Sequence, residues 1–409
     1  MANTLNLGNG NWATKEDSLL AYNSENGNFK PLPFDFTRAS SATVVNKAGL
    51  IETVGSGTPR IDYTDDSKGA LLLEPSRTNL YSFSNQFDVF WSKINLSAIP
   101  NSVTSLDGNL NGYLLQENTS NASHDIRQNS TVVSGQQYTY SVFVKKSDVG
   151  QDRNLSFYIG GTNGSISFNT TNGTFFSVGS VDSYSSEDYG NGWWRLQFTD
   201  TSVSTSFNII AILNNGSTIY QGDGTSGVYI YGAQLEQGSY ATSIIPTSGS
   251  AVTRVADNCN NSANAQVINS TEGVLYAQIS ALSNSGNTYR LIGLNNGSGT
   301  NTNRIFIGYT NNNSIYAAIN DTTIAFTVSS FDVKNFNKVA VVYNGSIAKL
   351  FINGSEVGSG ITNAPTLSGL SRVDFSGSST GANEFKGNTK DVRVYNTALT
   401  DAELIALTK

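Results

Sequence analysis

The chain has 409 residues, too many for one ordinary core and enough for two or three domains of roughly 100 to 200 residues each. Charged residues make up 13% and hydrophobic residues 38%, with 39 Gly, 19 Tyr and 20 Phe; this excludes a disordered chain or a coiled coil and predicts an all-β protein rich in turns. A net charge of -7 without any basic run excludes nucleic acid as a partner, and no apolar run approaches membrane-spanning length.

The opening MANTLNLGNG has neither a charged n-region nor an apolar h-region, so synthesis in a cytoplasm without a Sec-type signal is expected. Residues 1–33 read as an N-terminal attachment segment. Gly8-Asn9-Gly10-Asn11-Trp12 is a turn presenting an indole, and Thr14 with Asp17 resembles a capping box for a short helix whose sticky face is Leu19, Leu20 and Tyr22. Trp12, Leu19, Leu20 and Tyr22 therefore either dock on a partner or neighbouring subunit, or fold back onto their own domain. Residues 34–77 read as an irregular β-hairpin collar, with Lys47-Ala48-Gly49 at the tip of a hairpin.

Residues 78–246 read as a first β-sandwich. Tyr138, Tyr140, Val142 and Val144 alternate with Thr139, Ser141 and Phe143, and Leu155, Phe157 and Ile159 alternate with Ser156 and Tyr158. Trp194, Leu196 and Phe198 point one way and Trp193, Arg195 and Gln197 the other, so one face of that sheet is buried and the other presented. Phe207–Leu213 and Val228–Leu235 add nearly continuous apolar strands. Residues 247–258, small and polar through Ser248, Gly249 and Ser250, read as a connector.

Residues 259–409 read as a second sandwich. Its clearest signal is a pair of consecutive hairpins, Val339–Tyr343 to Ile347–Ile352 through Asn344-Gly345, and onward through Asn353-Gly354. Asp391–Tyr395 is a last strand. Thr400 then caps a terminal helix with Glu403 as reciprocal partner, and Leu404 and Leu407 face the sandwich.

Chemistry-bearing groups are sparse. His124, the single histidine, stands beside Asp125 in SNASHDIRQNS, a polar loop without a G-x-S-x-G elbow, and reads as a turn histidine. Cys259 reads as a small, half-buried thiol. Asp65-Asp66 and Glu187-Asp188 are adjacent pairs in loops, unlike carboxylates set about 5 to 10 Å apart across a glycosidic bond. No catalytic residue is assigned. The best carbohydrate-binding candidate is Trp193 with Arg195, an aromatic face beside a hydrogen-bonding cation; the alternative is that Trp193 is buried in a core or interface.

KVAVVYNGSIAKLFINGSEV at Lys338–Val357 and KDVRVYNTALTDAELIALT at Lys390–Thr408 resemble concanavalin A-like, laminin G-type jelly rolls. NGWWRLQFT and YIYGAQLEQGSYATSIIPT resemble carbohydrate-binding-module jelly rolls. FDFTRASSATVVNKAGLIETV, PRIDY, LLLEPSRTNL and INSTEGVLYAQI resemble head-fibre or head-spike proteins of tailed bacteriophages, including crAss-like and Bacteroidetes-infecting phages.

The fold expected is all-β: two tandem jelly-roll β-sandwiches behind the attachment segment and collar. The resemblance implies a structural virion protein on the capsid surface that adheres to host or mucosal glycans. It would be docked on capsid or portal-proximal proteins and assembled as a homo-oligomer, trimer before dimer, without enzymatic activity and without membrane or nucleic-acid partners. A tail-associated receptor-binding protein or glycan depolymerase is the alternative. Both jelly-roll types can hold structural calcium, but no EF-hand-type spacing occurs, so no metal ligand and no cofactor is assigned.

Overall fold

The computed structural model describes residues 4–160, 164–284, 288–300, 302–320, 324–345 and 347–409. Among the described residues the chain is all-β apart from one terminal helix, and it forms two compact units, each with its own core. One comprises Met1–Lys47, Val54–Pro75 and Val255–Lys409; the other comprises Ala48–Thr53 and Ser76–Arg254.

In the first unit, a large antiparallel sheet runs in the order Asn258–Asn260, Asn28–Thr37, Ser18–Asn23, Leu5–Gly8, Gly387–Tyr395, Glu272–Ala281, Asn337–Asn344, Ile347–Ile352 and Ser355–Ile361. A second sheet runs Ile324–Val328, Ile315–Ile319, Arg304–Tyr309, Arg290–Asn295 and Arg372–Asp374. Their facing side chains make a single core in which Leu5, Leu7, Leu19, Phe34, Val341 and Leu350 of the first sheet meet Ile292, Ile305, Ile307 and Ile315 of the second.

The amino-terminal stretch, read as residues 1–33, is thus woven into the unit, the fold-back alternative to an arm docked on a partner (its residues 1–3 lie outside the described residues). No helix forms at Thr14–Tyr22. Ala13–Lys15 and Ser18–Asn23 pair as a hairpin, and Leu19, Ala21 and Asn23 are buried while Leu20 and Tyr22 face the other way. That burial has a period of two, and pairing Leu5–Gly8 with Asp391–Val394 and Ser18–Asn23 with Asn28–Thr37 satisfies backbone groups that one short helix would leave open. Trp12 packs on the core edge and donates its indole N–H to the Lys68 carbonyl at 2.8 Å.

Residues 34–77 likewise form no separate collar. Asn28–Thr37 is a full member of the large sheet, and Ala70–Leu73 pairs with Gly387–Thr389. Nor is 247–258 a bare connector. Val252–Arg254 pairs with Arg77–Asn79, and Asp257 is a buried charge centre. Arg38 donates to Asp257 Oδ1 at 2.9 Å, Arg60 donates to Asp257 Oδ2, and Arg60 also reaches Glu74 at 2.6 Å, all within the first unit and essentially solvent-free. Two guanidinium groups and two carboxylates balance, which is what such burial requires. Burial opposes the Arg60 charge, yet Glu74 and Asp257 outweigh it and hold that cation more firmly than in water.

The terminal helix Asp401–Thr408 has the expected capping box at Thr400 and Glu403, with Leu404 buried and Leu407 packed beside it. Both consecutive hairpins form. The second turns through Asn353 (φ 47) and Gly354 (φ 85), a left-handed pair suited to Asn-Gly, whereas the first pairs Asn344 with Ile347, and residue 346 lies outside the described residues.

The second unit is a sandwich of two antiparallel sheets. One runs Leu96–Thr104, Leu110–Glu117, Gly227–Gln237, Gln137–Lys146, Trp193–Thr201 and Ser183–Asp188. The opposing one runs Ser92–Ile94, Asp125–Thr131, Ser206–Asn214, Asn154–Gly160, Ser165–Asn169 and Thr174–Phe176. Tyr140, Val142, Leu196 and Phe198 from the first meet Leu155, Phe157, Ile209 and Leu213 from the second.

Candidate functional site

Trp193 and Arg195 are adjacent to one another as expected, but neither is presented to solvent as a stacking platform. Trp193 is only 1% exposed and packs with Leu114, Phe143, Tyr229, Tyr231 and Ile244 in a small aromatic core on the outer side of its sheet. Its indole N–H donates to the Thr104 carbonyl at 3.2 Å. Arg195 lies over the Phe143 ring and donates to Ser141 Oγ at 3.2 Å and the Thr242 carbonyl at 2.5 Å. The return segment around Thr242 and Ile244 therefore closes the face that the alternation left open. Next to it, Glu236 is fully buried; burial pushes its carboxyl up, while hydrogen bonds from Thr242 and the nearby Arg254 restrain the shift.

The opposing sheet keeps part of its outer face open, beside a covered stretch at Ser156, Ser167 and Ile212. Its register places Ser92, Arg127, Ile210, Tyr158 and Ser165 in one row across the strands. Tyr158 is 44% exposed, Arg127 keeps 31% of its side chain exposed, and half-buried Ile210 lies between them. With strands about 4.8 Å apart, the backbone positions of Tyr158 and Arg127, two strands from one another, are roughly 10 Å apart, the scale of a sugar ring with its hydroxyls. Arg127 is held by two hydrogen bonds to Asp125 Oδ1, at 3.1 and 2.6 Å, and Asp125 also accepts from Ser123 Oγ at 3.3 Å.

The neighbouring row carries Asn129, Asn208 and Gly160. Asn208 Oδ1 is shielded from solvent without a hydrogen-bond partner among the described residues. On the other side, Ser156, Ser167 and Asn214 bond to each other at 2.8 Å and stiffen the sheet. The arrangement offers solvent an aromatic face and a cation fixed by its carboxylate partner. One sequence signal pointed here: Tyr158 breaks the polar phase of the Leu155, Phe157, Ile159 alternation with a large aromatic on the outer side.

A buried polar cluster braces one end of this sandwich. Glu117 accepts from both forks of Arg153 at 2.7 and 2.8 Å, from the Tyr220 hydroxyl at 2.5 Å and from the Asp223 amide at 2.9 Å. Burial alone would raise the Glu117 carboxyl, but these partners outweigh it and it titrates below the ordinary value of 4.5. His124 is not a turn residue. It is fully buried against Tyr220, with Nδ1 at 2.7 Å from the Asn95 carbonyl, so it makes no pair with Asp125 and none with a serine. Tyr220 recruits it: an imidazole that the polar sequence context places on the surface is drawn inward by a ring contact from a distant strand.

Cys259 is 1% exposed in the core of the first unit, more buried than expected, and burial pushes its thiol well above the usual range. Asp66 pairs with Lys390 at 2.9 Å, and Glu187 and Asp188 lie on an edge strand opposite Arg195 and Trp194. Among the described residues no group of three or more His, Cys, Asp or Glu side chains is arranged to hold a metal, and no helix is long and apolar enough to cross a membrane. Of the expected attachment residues, Leu19 is wholly buried, which removes it from any docking role, and Trp12, Leu20 and Tyr22 are half-buried.

Residues 262–405 match the Concanavalin A-like lectin/glucanases superfamily. The match spans Lys338–Val357 and most of Lys390–Thr408, the segments that resembled this fold in sequence, and its description includes both binding and hydrolytic proteins. No curated protein matches the chain. Among solved structures, the chain is similar to the Ruminococcus gnavus IT-sialidase CBM40 bound to alpha2,3 sialyllactose, at 18% identity and a TM-score of 0.31 over 37% of this chain and 94% of that one. It is also similar to domain 4 of a GH43 extracellular arabinanase from Geobacillus stearothermophilus in complex with arabinotriose, at 15% identity and a TM-score of 0.28 over 38% and 73% of the two chains. A third is mouse laminin alpha1 chain domains LG4-5, at 11% identity and a TM-score of 0.23 over 70% and 90%. At such low TM-scores none of these three bears on what this chain binds.

Proposed function

We propose that the chain is a glycan-binding adhesion protein of a tailed-bacteriophage particle, and that it acts by binding rather than by catalysis. The observation that carries the glycan reading is the open row of Arg127, Ile210 and Tyr158, in which an exposed aromatic face and a fixed cation flank a shallow floor. Sugars need that pairing of an apolar surface with directed hydrogen-bonding groups. The superfamily match over residues 262–405 supports the same class of ligand. Placement on a capsid, docking to capsid or portal-proximal proteins, and a trimeric homo-oligomer rest on the likeness of FDFTRASSATVVNKAGLIETV and LLLEPSRTNL to head-fibre proteins. With Leu19 buried, Trp12, Leu20 and Tyr22 are what remains of the proposed docking surface.

Many copies on one particle make weak single sites sufficient for adhesion. A glycan array probed with the full chain should give hits that Tyr158→Ala weakens by about tenfold or more at unchanged melting temperature; hits indifferent to that substitution would remove the open face as the site. Immunogold labelling of mature particles tests the virion location, and absence of label from intact particles would end it. The glucanase half of the superfamily keeps the depolymerase alternative in view. New reducing ends on incubation with host capsule would establish it.

A further inference from the structure

The lectin-like part of the first unit has a concave feature of its own. An open cleft of about 500 Å³ is lined by Gln266, Asn269, Ser270, Asn396 and Thr397 over the apolar side chains of Ile268 and Leu370. Its volume falls within the range of roughly 300 to 1,000 Å³ typical of small-ligand sites. The walls are tied in place: Ser270 Oγ accepts from the Leu370 amide at 2.9 Å, and the Asn269 carbonyl accepts from the Tyr343 hydroxyl at 2.6 Å.

The polar groups, by contrast, are only partly spent. Asn269 Oδ1 accepts from the Thr271 amide and hydroxyl, both at 2.9 Å, which leaves its NH₂ group without a protein partner among the described residues. Asn396 donates to Glu25 Oε1 at 3.1 Å and has its amide oxygen to offer. Gln266 and Thr397 are exposed, and neither side chain is engaged. Donors and acceptors are thus interspersed, and none of the lining side chains carries a charge.

That chemistry selects its ligand. An anion would want a guanidinium or ammonium group, a cation would want carboxylates, and an apolar ligand would strand the amides without hydrogen bonds. A neutral polyol, which both donates and accepts along its edge, satisfies all of them. We propose that the cleft holds one neutral sugar residue, recognised edge-on through amides and hydroxyls rather than by stacking. The choice of a sugar among neutral polyols rests on the glycan reading above. The chain would then carry two glycan sites of different character, one in each unit.

The test uses saturation-transfer NMR and calorimetry on the full chain with D-galactose, D-glucose, D-mannose and N-acetylglucosamine, with sulfate and choline as charged controls. Thr397→Trp fills the cleft, and the double substitution Gln266→Ala, Asn396→Ala strips its polar groups; thermal melts confirm that each variant stays folded. The expected result is a neutral sugar that binds the wild-type chain and the Tyr158→Ala variant alike, and that both cleft variants weaken by about tenfold or more. Sugar binding that survives both cleft variants but is lost in Tyr158→Ala overturns the cleft and leaves the open face standing. Response to sulfate or choline alone, or to none of the probes, overturns the proposal.

Discussion

Glu117 shows how one carboxylate can set the acid limit of a sandwich. Its folded titration lies below its unfolded one, so the unfolded chain takes up the proton first. The stabilisation is therefore complete above the ordinary value of 4.5 and is lost as pH falls through the lower, folded value. Asp223, held well below the usual carboxylate range by Ser226 and Thr225 against the pull of burial, acts in the same direction. Urea midpoints of the second unit should fall steadily from about pH 5 to about pH 3, and Glu117→Gln should flatten that slope while removing about 3 kcal/mol or more at neutral pH, because Arg153 is left buried without its bidentate partner. Trp193→Ala belongs with core substitutions. A loss of about 3–5 kcal/mol by chemical denaturation is expected, and a variant that kept full stability while losing glycan binding would restore Trp193 as a contact residue.

Two segments with the same local cap signal took different structures. Thr14 with Asp17 and Thr400 with Glu403 both have a hydroxyl followed three residues later by an acid, yet only the second starts a helix. After Thr400, Leu404 and Thr408 recur on one side at helical spacing and bury against the sheet. After Thr14, the buried positions are Leu19, Ala21 and Asn23, every second residue, and the strand Asn28–Thr37 is waiting to pair with them. Periodicity over six residues outweighs a cap, because a capped turn gains about 1 kcal/mol while a central strand buries a full row of apolar side chains. Thr400→Ala should cost about 1 kcal/mol and fray the last helix, visible as faster amide exchange over Asp401–Thr408 without effect on the sheets.

The first unit is discontinuous in sequence, and this governs how the protein can be divided. Leu5, Leu7, Leu19, Phe34, Leu71 and Leu73 lie in the same core as Ile292 and Val341, and Asp257 neutralises arginines from two earlier segments. A fragment of residues 259–409, cut where composition suggests a boundary, would lose the strand that covers Asp391–Val394 and one side of its core. It should show poor dispersion in amide NMR spectra and rapid proteolysis. Residues 76–254 hold nearly all of the second unit and should fold alone with a single cooperative transition. A well-folded 259–409 fragment would refute this account of the first unit.

Composition, alternation and turn chemistry were enough to establish an all-β chain, the Asn353-Gly354 hairpin, the capped terminal helix and the opposite facing of Trp193 and Trp194, because each is decided by contacts within about ten residues. The pairing of Leu5–Gly8 with Asp391–Val394, the covering of Trp193 by the segment around Ile244, the burial of His124 against Tyr220 and the row joining Arg127 to Tyr158 are different. Each joins residues far apart in the chain. Alternation says which side chains share a face of a strand; which face the rest of the chain then covers depends on strand order and loop return, and those exist only once the whole unit has closed.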